Sequence, residues 1–258
     1  VAHRAAEPLV LQAPVPLSVP GALGALASPL APLGPFASTA PVHLSVTWPG
    51  DEQPAGPAIA LESREGAPHG FASWAGPALE FSGPPLPTFG LAALRGAWAA
   101  AAAAAGGTLL HGAGLLYRGE GLVVTGPPDA GKSTCAGLAL AAGASLLSDE
   151  LVVLFPDGTV QGTPFCSSLR APSSPERVRC AALLTLDKAG GESVSPAAPA
   201  AFAHTLLSQV WSPEGLGLPL AEARAAALSC AGQAFCGTFA FRKHPDAGRF
   251  LLEWLDAL

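Results

Sequence analysis

A chain of 258 residues is long enough for one large domain or two modest ones with a real core. Half of it is apolar and only 12% is charged, which excludes a disordered or highly charged chain. The formal net charge of -6, with no run of basic residues, argues against nucleic acid as the main partner, because phosphate backbones are held by clustered Lys and Arg.

Proline divides the chain: sixteen of the 27 prolines precede Gly90. That half holds short strand-like pieces, VHLSVTW (Val42 to Trp48) and PAIALES (Pro57 to Ser63), between turn-rich segments. We expect a small β-leaning domain over residues 1–86, its first 35 or so residues forming an extended arm. Prolines at 14, 16, 20, 29 and 32 break any signal-peptide core. The longest apolar run, Leu91 to Leu110, is mostly alanine and is interrupted by Arg95, which is poor material for a membrane span. The expected setting is soluble and cytoplasmic, without a membrane partner. Five cysteines, an odd number with no CxxC, read as buried thiols in a reducing compartment in preference to a zinc site.

A nucleotide-binding core is expected over 87–258. LPTFGLAALRGAWAAAAAAAGG reads as one helix ended by its glycine pair. In TLLHGAGLLYRGEGLVVTG two apolar runs flank RGEG (Arg118 to Gly121), the pattern of a hairpin. KSTCAGLALAAG predicts a short helix stopped by Gly143. ASLLSDELVVLF, VQGTPF, CAALLTLD and GTFAFRKH read as strands, 200–211 and 219–231 as helices, and AGRFLLEWL as a closing helix.

Between the hairpin and the short helix lies GPPDAGKST, which satisfies G-x-x-x-x-G-K-[ST] with Gly126, Gly131, Lys132 and Ser133. The loop (Gly126, Pro127, Pro128, Asp129, Ala130, Gly131, Lys132, Ser133 and Thr134) turns backbone N–H groups around phosphate oxygens, and the helix behind it presents its positive end. Lys132 reaches the outer phosphates and the Ser133 hydroxyl is suited to Mg²⁺. The competing account, coincidence in a Gly- and Ala-rich chain, does not explain the strand–loop–helix context.

Asp149 and Glu150 come 17 and 18 residues after Lys132, beyond one helix and one strand, at the top of the next strand beside the loop. A carboxylate there can take a proton from an attacking hydroxyl or hold metal, whereas the bland reading is a solvated pair at a strand edge. His111, 21 residues before Lys132, is returned by the hairpin to the strand that feeds the loop. A lone His on an apolar strand is more often structural.

The block HGAGLLYRGEGLVVTGPPDAGKSTCAGLALAAGASLLSDELVVL resembles the HPr kinase/phosphorylase family and its shorter relatives, which share a nucleotide core with ATP-dependent phosphoenolpyruvate carboxykinase. The likeness is specific over about residues 108–165. It implies an α/β fold with a mixed-sheet P-loop kinase core, and ATP and Mg²⁺ as donor and metal. It further implies catalytic roles for His111, Lys132, Asp149 and Glu150, with Ser133 and Glu150 toward the metal. The acceptor it implies is a serine of a peptide or small carrier protein, and the assembly a homo-oligomer. Glu150 stands where the family has a second Asp, and the family's later glycine-rich signature is not evident. Glu176 is a candidate for a further metal-side acid, and Arg170, Arg177 and Arg179 for a downstream arginine. A catalytically silent nucleotide-binding regulator is the alternative, and a small-molecule kinase a third. The tryptophans and Lys243-His244 read as core and solvated surface respectively.

Overall fold

In the computed structural model, residues 9–14, 16–19, 36–39, 44–47, 58–62, 68–75, 78–82, 87–169, 171–188, 191–211 and 220–258 are described. The chain clusters into two units that divide after Ala105.

The first unit carries a six-stranded sheet in the order β1-β2-β3-β6-β5-β4: β1 (Leu9–Gln12), β2 (Pro16–Val19), β3 (Leu44–Thr47), β4 (Ala58–Glu62), β5 (Pro68–Ala75) and β6 (Ala78–Ser82). Helix α1 (Pro87–Ala104) also belongs to this unit, although its sequence had suggested the core. Leu9 to Val19 were expected in an extended arm and instead pair as a hairpin; most of the remaining arm, like Trp48, lies outside the described residues. Trp98 is fully buried and meets Phe36 edge to face.

The second unit is built on β7 (Thr108–Tyr117), whose length lets it pair with four other strands, β8, β9, β10 and β14. It returns into β8 (Glu120–Thr125) through a two-residue turn in which Arg118 (φ 50°) and Gly119 (φ 84°) are both left-handed, the form that matches strand twist. Beyond β8 come α2 (Lys132–Ala141), β9 (Ser145–Ser148), β10 (Leu151–Leu154) and β11 (Thr159–Gln161). β12 (Arg177–Asp187) is followed by β13 (Ser193–Pro196), α3 (Pro199–Ser208), β14 (Val210–Trp211), α4 (Leu220–Ala231), β15 (Phe235–Ala240) and α5 (Pro245–Asp256). The main path of this mixed sheet runs β11-β10-β7-β8-β12-β15-β13, with β8, β12 and β15 mutually parallel.

Strand alternation sorts its core into two faces. Leu122, Val124, Ala182 and Leu184 pack with Cys135 and Ala139 of α2 and Leu251 and Leu252 of α5. Val123, Leu183 and Val152 pack with Phe202 and Leu206 of α3 and Ala227 and Cys230 of α4. A sheet covered on both faces leaves only its strand ends open, and ligands of such folds bind beyond the carboxyl ends of the parallel strands. No helix among the described residues is long and apolar enough to cross a membrane.

Candidate functional site

Three parallel strands end within two residues of one level. Thr125 of β8 is level with Thr185 of β12, which is level with Thr238 of β15. The segments leaving these strands therefore converge: the glycine loop after β8, Lys188 after β12, and Phe241 to Lys243 after β15. On the other side of β8, Gly112 of β7 pairs with Thr125, so His111 lies beside the start of the loop. The His111 backbone is fixed there, its N–H donating to Gln209 O at 2.8 Å and its carbonyl accepting from Thr125 Oγ1 at 2.9 Å.

The acidic pair reaches the same level by interrupting a strand. β9 and β10 both run antiparallel to β7, Ser148 opposite Gly114 and Leu151 opposite His111, so Asp149 and Glu150 form the break between them. Gly112 N–H donates to Glu150 O at 3.0 Å across that break. Ser148 stabilises it: its hydroxyl donates to Phe165 O at 2.7 Å and accepts from the N–H groups of Glu150 and Leu151, each at 3.2 Å.

The loop has the form its sequence requires. Asp129 (φ 62°) and Gly131 (φ 103°) are left-handed, and Gly131 caps α2 without any side-chain hydrogen bond, which leaves the helix N–H groups to an anion. Lys132 is 8% exposed and donates to Gly126 O at 2.8 Å and Pro127 O at 3.0 Å. Burial pushes its ammonium below the ordinary 10.5, partly opposed by the Asp129 carboxylate. Cys135, in the first turn of α2, would gain acidity from the helix end, but complete burial wins and pushes its thiol up to about 12.

A cavity of about 440 Å³ opens over this loop, lined by His111, Pro128, Asp129, Gly131, Lys132, Ser133, Thr134, Asp149, Ser167, Ser168 and Lys188. A second, of about 360 Å³, shares Gly131, Thr134 and Lys188 with it and continues to Phe241, Arg242 and Lys243. Both lie in the size range of small-molecule sites. Of the residues singled out as catalytic, His111, Lys132 and Asp149 line the first cavity; Glu150 is half-buried and does not.

Asp149 is 2% exposed, and its carboxylate is held by one short segment. Oδ1 accepts from Ser167 N–H at 2.8 Å; Oδ2 accepts from Ser167 Oγ at 2.9 Å, Ser168 N–H at 3.0 Å and Leu169 N–H at 2.9 Å. Ser167 Oγ lies 3.2 Å from Ser133 Oγ. Because Ser167 gives its proton to Asp149, Ser133 gives its own to Ser167, which turns the Ser133 lone pairs toward the cavity. Of the two acids, Asp149 is the one joined to Ser133 through the Ser167 hydroxyl.

Two groups carried no signal in the sequence. Lys188 Nζ donates to Asp129 O, which spans the loop from the far side. Ser167 belongs to no motif, and only the fold returns it to the loop. Conversely, Glu176, Arg177 and Arg179 sit at the opposite end of β12, roughly 30 Å or more along the strand from Lys188 at about 3.3 Å per residue. There Arg177 binds Asp157 at 2.7 Å and Arg179 binds Glu120 at 2.9 Å. Arg170 lies outside the described residues. Among the described residues no cluster of three or more His, Cys, Asp or Glu could hold a metal ion.

No protein-family model matches the sequence, and no curated protein matches it. Among solved structures, the chain shows a distant, fold-level similarity to the Hpr(Ser) kinase/phosphatase from Coxiella burnetii. The two are 15% identical at a TM-score of 0.26, the alignment covering 58% of this chain and 93% of that one.

Proposed function

We propose that this chain is an ATP- and Mg²⁺-dependent kinase that transfers the γ-phosphoryl group to a hydroxyl, a serine of a peptide or small carrier protein. The observation that carries the reading is the meeting of Lys132, Ser133 and Asp149 in one cavity, over an uncapped helix N-terminus, where three parallel strands end. The motif resemblance to the HPr kinase/phosphorylase family points the same way.

The loop amides and the α2 N-terminus would hold the β- and γ-phosphates, while Lys132 would leave Gly126 O and Pro127 O to pair with them. Mg²⁺, when bound, would neutralise charge on those oxygens; Ser133 would hold it, its lone pairs freed by the hydrogen bond to Ser167. Lys188 would supply a second positive charge from the β12 side. His111, which lines the same cavity, would hydrogen-bond the transferred group or the incoming hydroxyl. Asp149, lining the cavity, is our choice of proton acceptor over Glu150. A loose phosphoryl-transfer transition state needs placement more than base strength, which suits a carboxylate already so well hydrogen-bonded.

The test is intact mass of candidate acceptor peptides after incubation with ATP and Mg²⁺. A gain of one phosphoryl mass is expected, reduced on the order of 100-fold in rate by Asp149→Ala and far less by Glu150→Ala. ATP binding with no phosphorylated product on any hydroxyl would instead support a nucleotide-binding regulator.

A further inference from the structure

The carboxylate proposed to receive a substrate hydroxyl's proton already holds one hydroxyl, and it belongs to the chain itself. Ser167 Oγ donates to Asp149 Oδ2 at 2.9 Å and lies 3.2 Å from the Ser133 hydroxyl of the phosphate loop. It lines the same cavity as Lys132 and Lys188, yet the residue itself is exposed. Its backbone is pinned independently of the hydroxyl, because the N–H groups of Ser167, Ser168 and Leu169 all bind Asp149. The segment thus presents a fixed hydroxyl to the phosphate site with its proton aimed at a base. That is the arrangement a kinase creates for an acceptor.

We propose that Ser167 is itself a phosphoryl acceptor, so that the chain phosphorylates its own active-site segment. This rests on the kinase reading above. In the step, a lone pair of Ser167 Oγ forms the bond to the γ-phosphorus and the bond from that phosphorus to the β,γ-bridging oxygen breaks. Its electrons leave with the nucleoside diphosphate, and the Ser167 proton passes to Asp149 Oδ2. The product places a phosphoserine between Ser133 and Asp149. It breaks the Ser133–Ser167–Asp149 chain and sets a dianion against a carboxylate, so modification would also switch the site's metal-side geometry.

The experiment is intact and fragment mass of the full chain after incubation with ATP and Mg²⁺ and no other acceptor, alongside a calorimetric titration with ATP. We expect one phosphoryl mass, localised to Ser167. It should be absent in Ser167→Ala, which keeps every backbone contact to Asp149, and restored as phosphothreonine in Ser167→Thr. Phosphorylation elsewhere with Ser167 unmodified overturns the proposal, as does a protein that binds ATP and phosphorylates a peptide but never itself. A chain that does not bind ATP at all overturns the kinase reading and this proposal with it.

Discussion

Lys132 sits between two partners it must choose from. In this structure it is folded onto two carbonyls of its own loop, desolvated and therefore less willing to stay charged than an exposed lysine. A bound triphosphate would replace neutral carbonyls with anions and restore its affinity for the proton. The sign of the pH dependence is then fixed. Below the lowered pKa Lys132 is charged with or without ligand, and ATP affinity should be level. As pH rises through that pKa the free protein loses the charge while the complex keeps it, so affinity falls and binding takes up protons. Calorimetry in two buffers of different ionisation enthalpy reads that uptake directly; no uptake on the alkaline side would contradict the assignment. Lys188 should add a second positive charge at the loop. Its Nζ reaches Asp129 O across the loop, and Lys188→Ala should weaken ATP binding about 10-fold, the worth of one charge-assisted hydrogen bond. Unchanged affinity would reduce it to a loop brace.

At the scale of elements, the site depends on how closely α2 and α5 approach. A Cβ built on Gly248 of α5 would stand 2.1 Å from the Leu138 carbonyl oxygen of α2, so no side chain fits unless the helices part. Gly248→Ala should therefore destabilise the second unit by about 1–3 kcal/mol, the usual cost of overpacking, and displace the helix that backs the phosphate loop. Denaturant unfolding checks it, and a midpoint equal to wild type would show that the helices can slide. The same scale explains what sequence could and could not yield. The hairpin around Arg118 and Gly119, α2 with its stop at Gly143, and the strands on either side of the acidic pair all come from local turn chemistry and apolar runs. The break that presents Asp149 does not, since it exists only because β9 and β10 share one long partner, β7. Phe241 to His244 read as the end of a strand but leave the sheet after Ala240 and turn toward the loop; Lys243 is exposed, as its sequence suggested, and also lines the second cavity.

For the whole chain, the phosphate loop was legible because its chemistry is written in consecutive residues. Lys132 and Ser133 needed no tertiary knowledge. His111 and Asp149 were legible as candidates through spacing, but the ranking of Asp149 over Glu150 came only from which side chain lines the cavity. Ser167 and Lys188 were invisible because their partners lie 18 and 59 residues away. Glu176, Arg177 and Arg179 were candidates by the resemblance alone, and only the direction of β12 shows that they lie at the end of the strand away from the loop.

The central claim is that the loop over α2 binds a nucleoside triphosphate and delivers its γ-phosphoryl group. The most direct measurement is release of ADP from ATP with Mg²⁺, wild type beside Lys132→Ala, with circular dichroism to show that both are folded. The account predicts turnover in the wild type, raised by an acceptor peptide and lost in the variant. Equal turnover in the two proteins, or ATP turnover by neither under any acceptor, would contradict it.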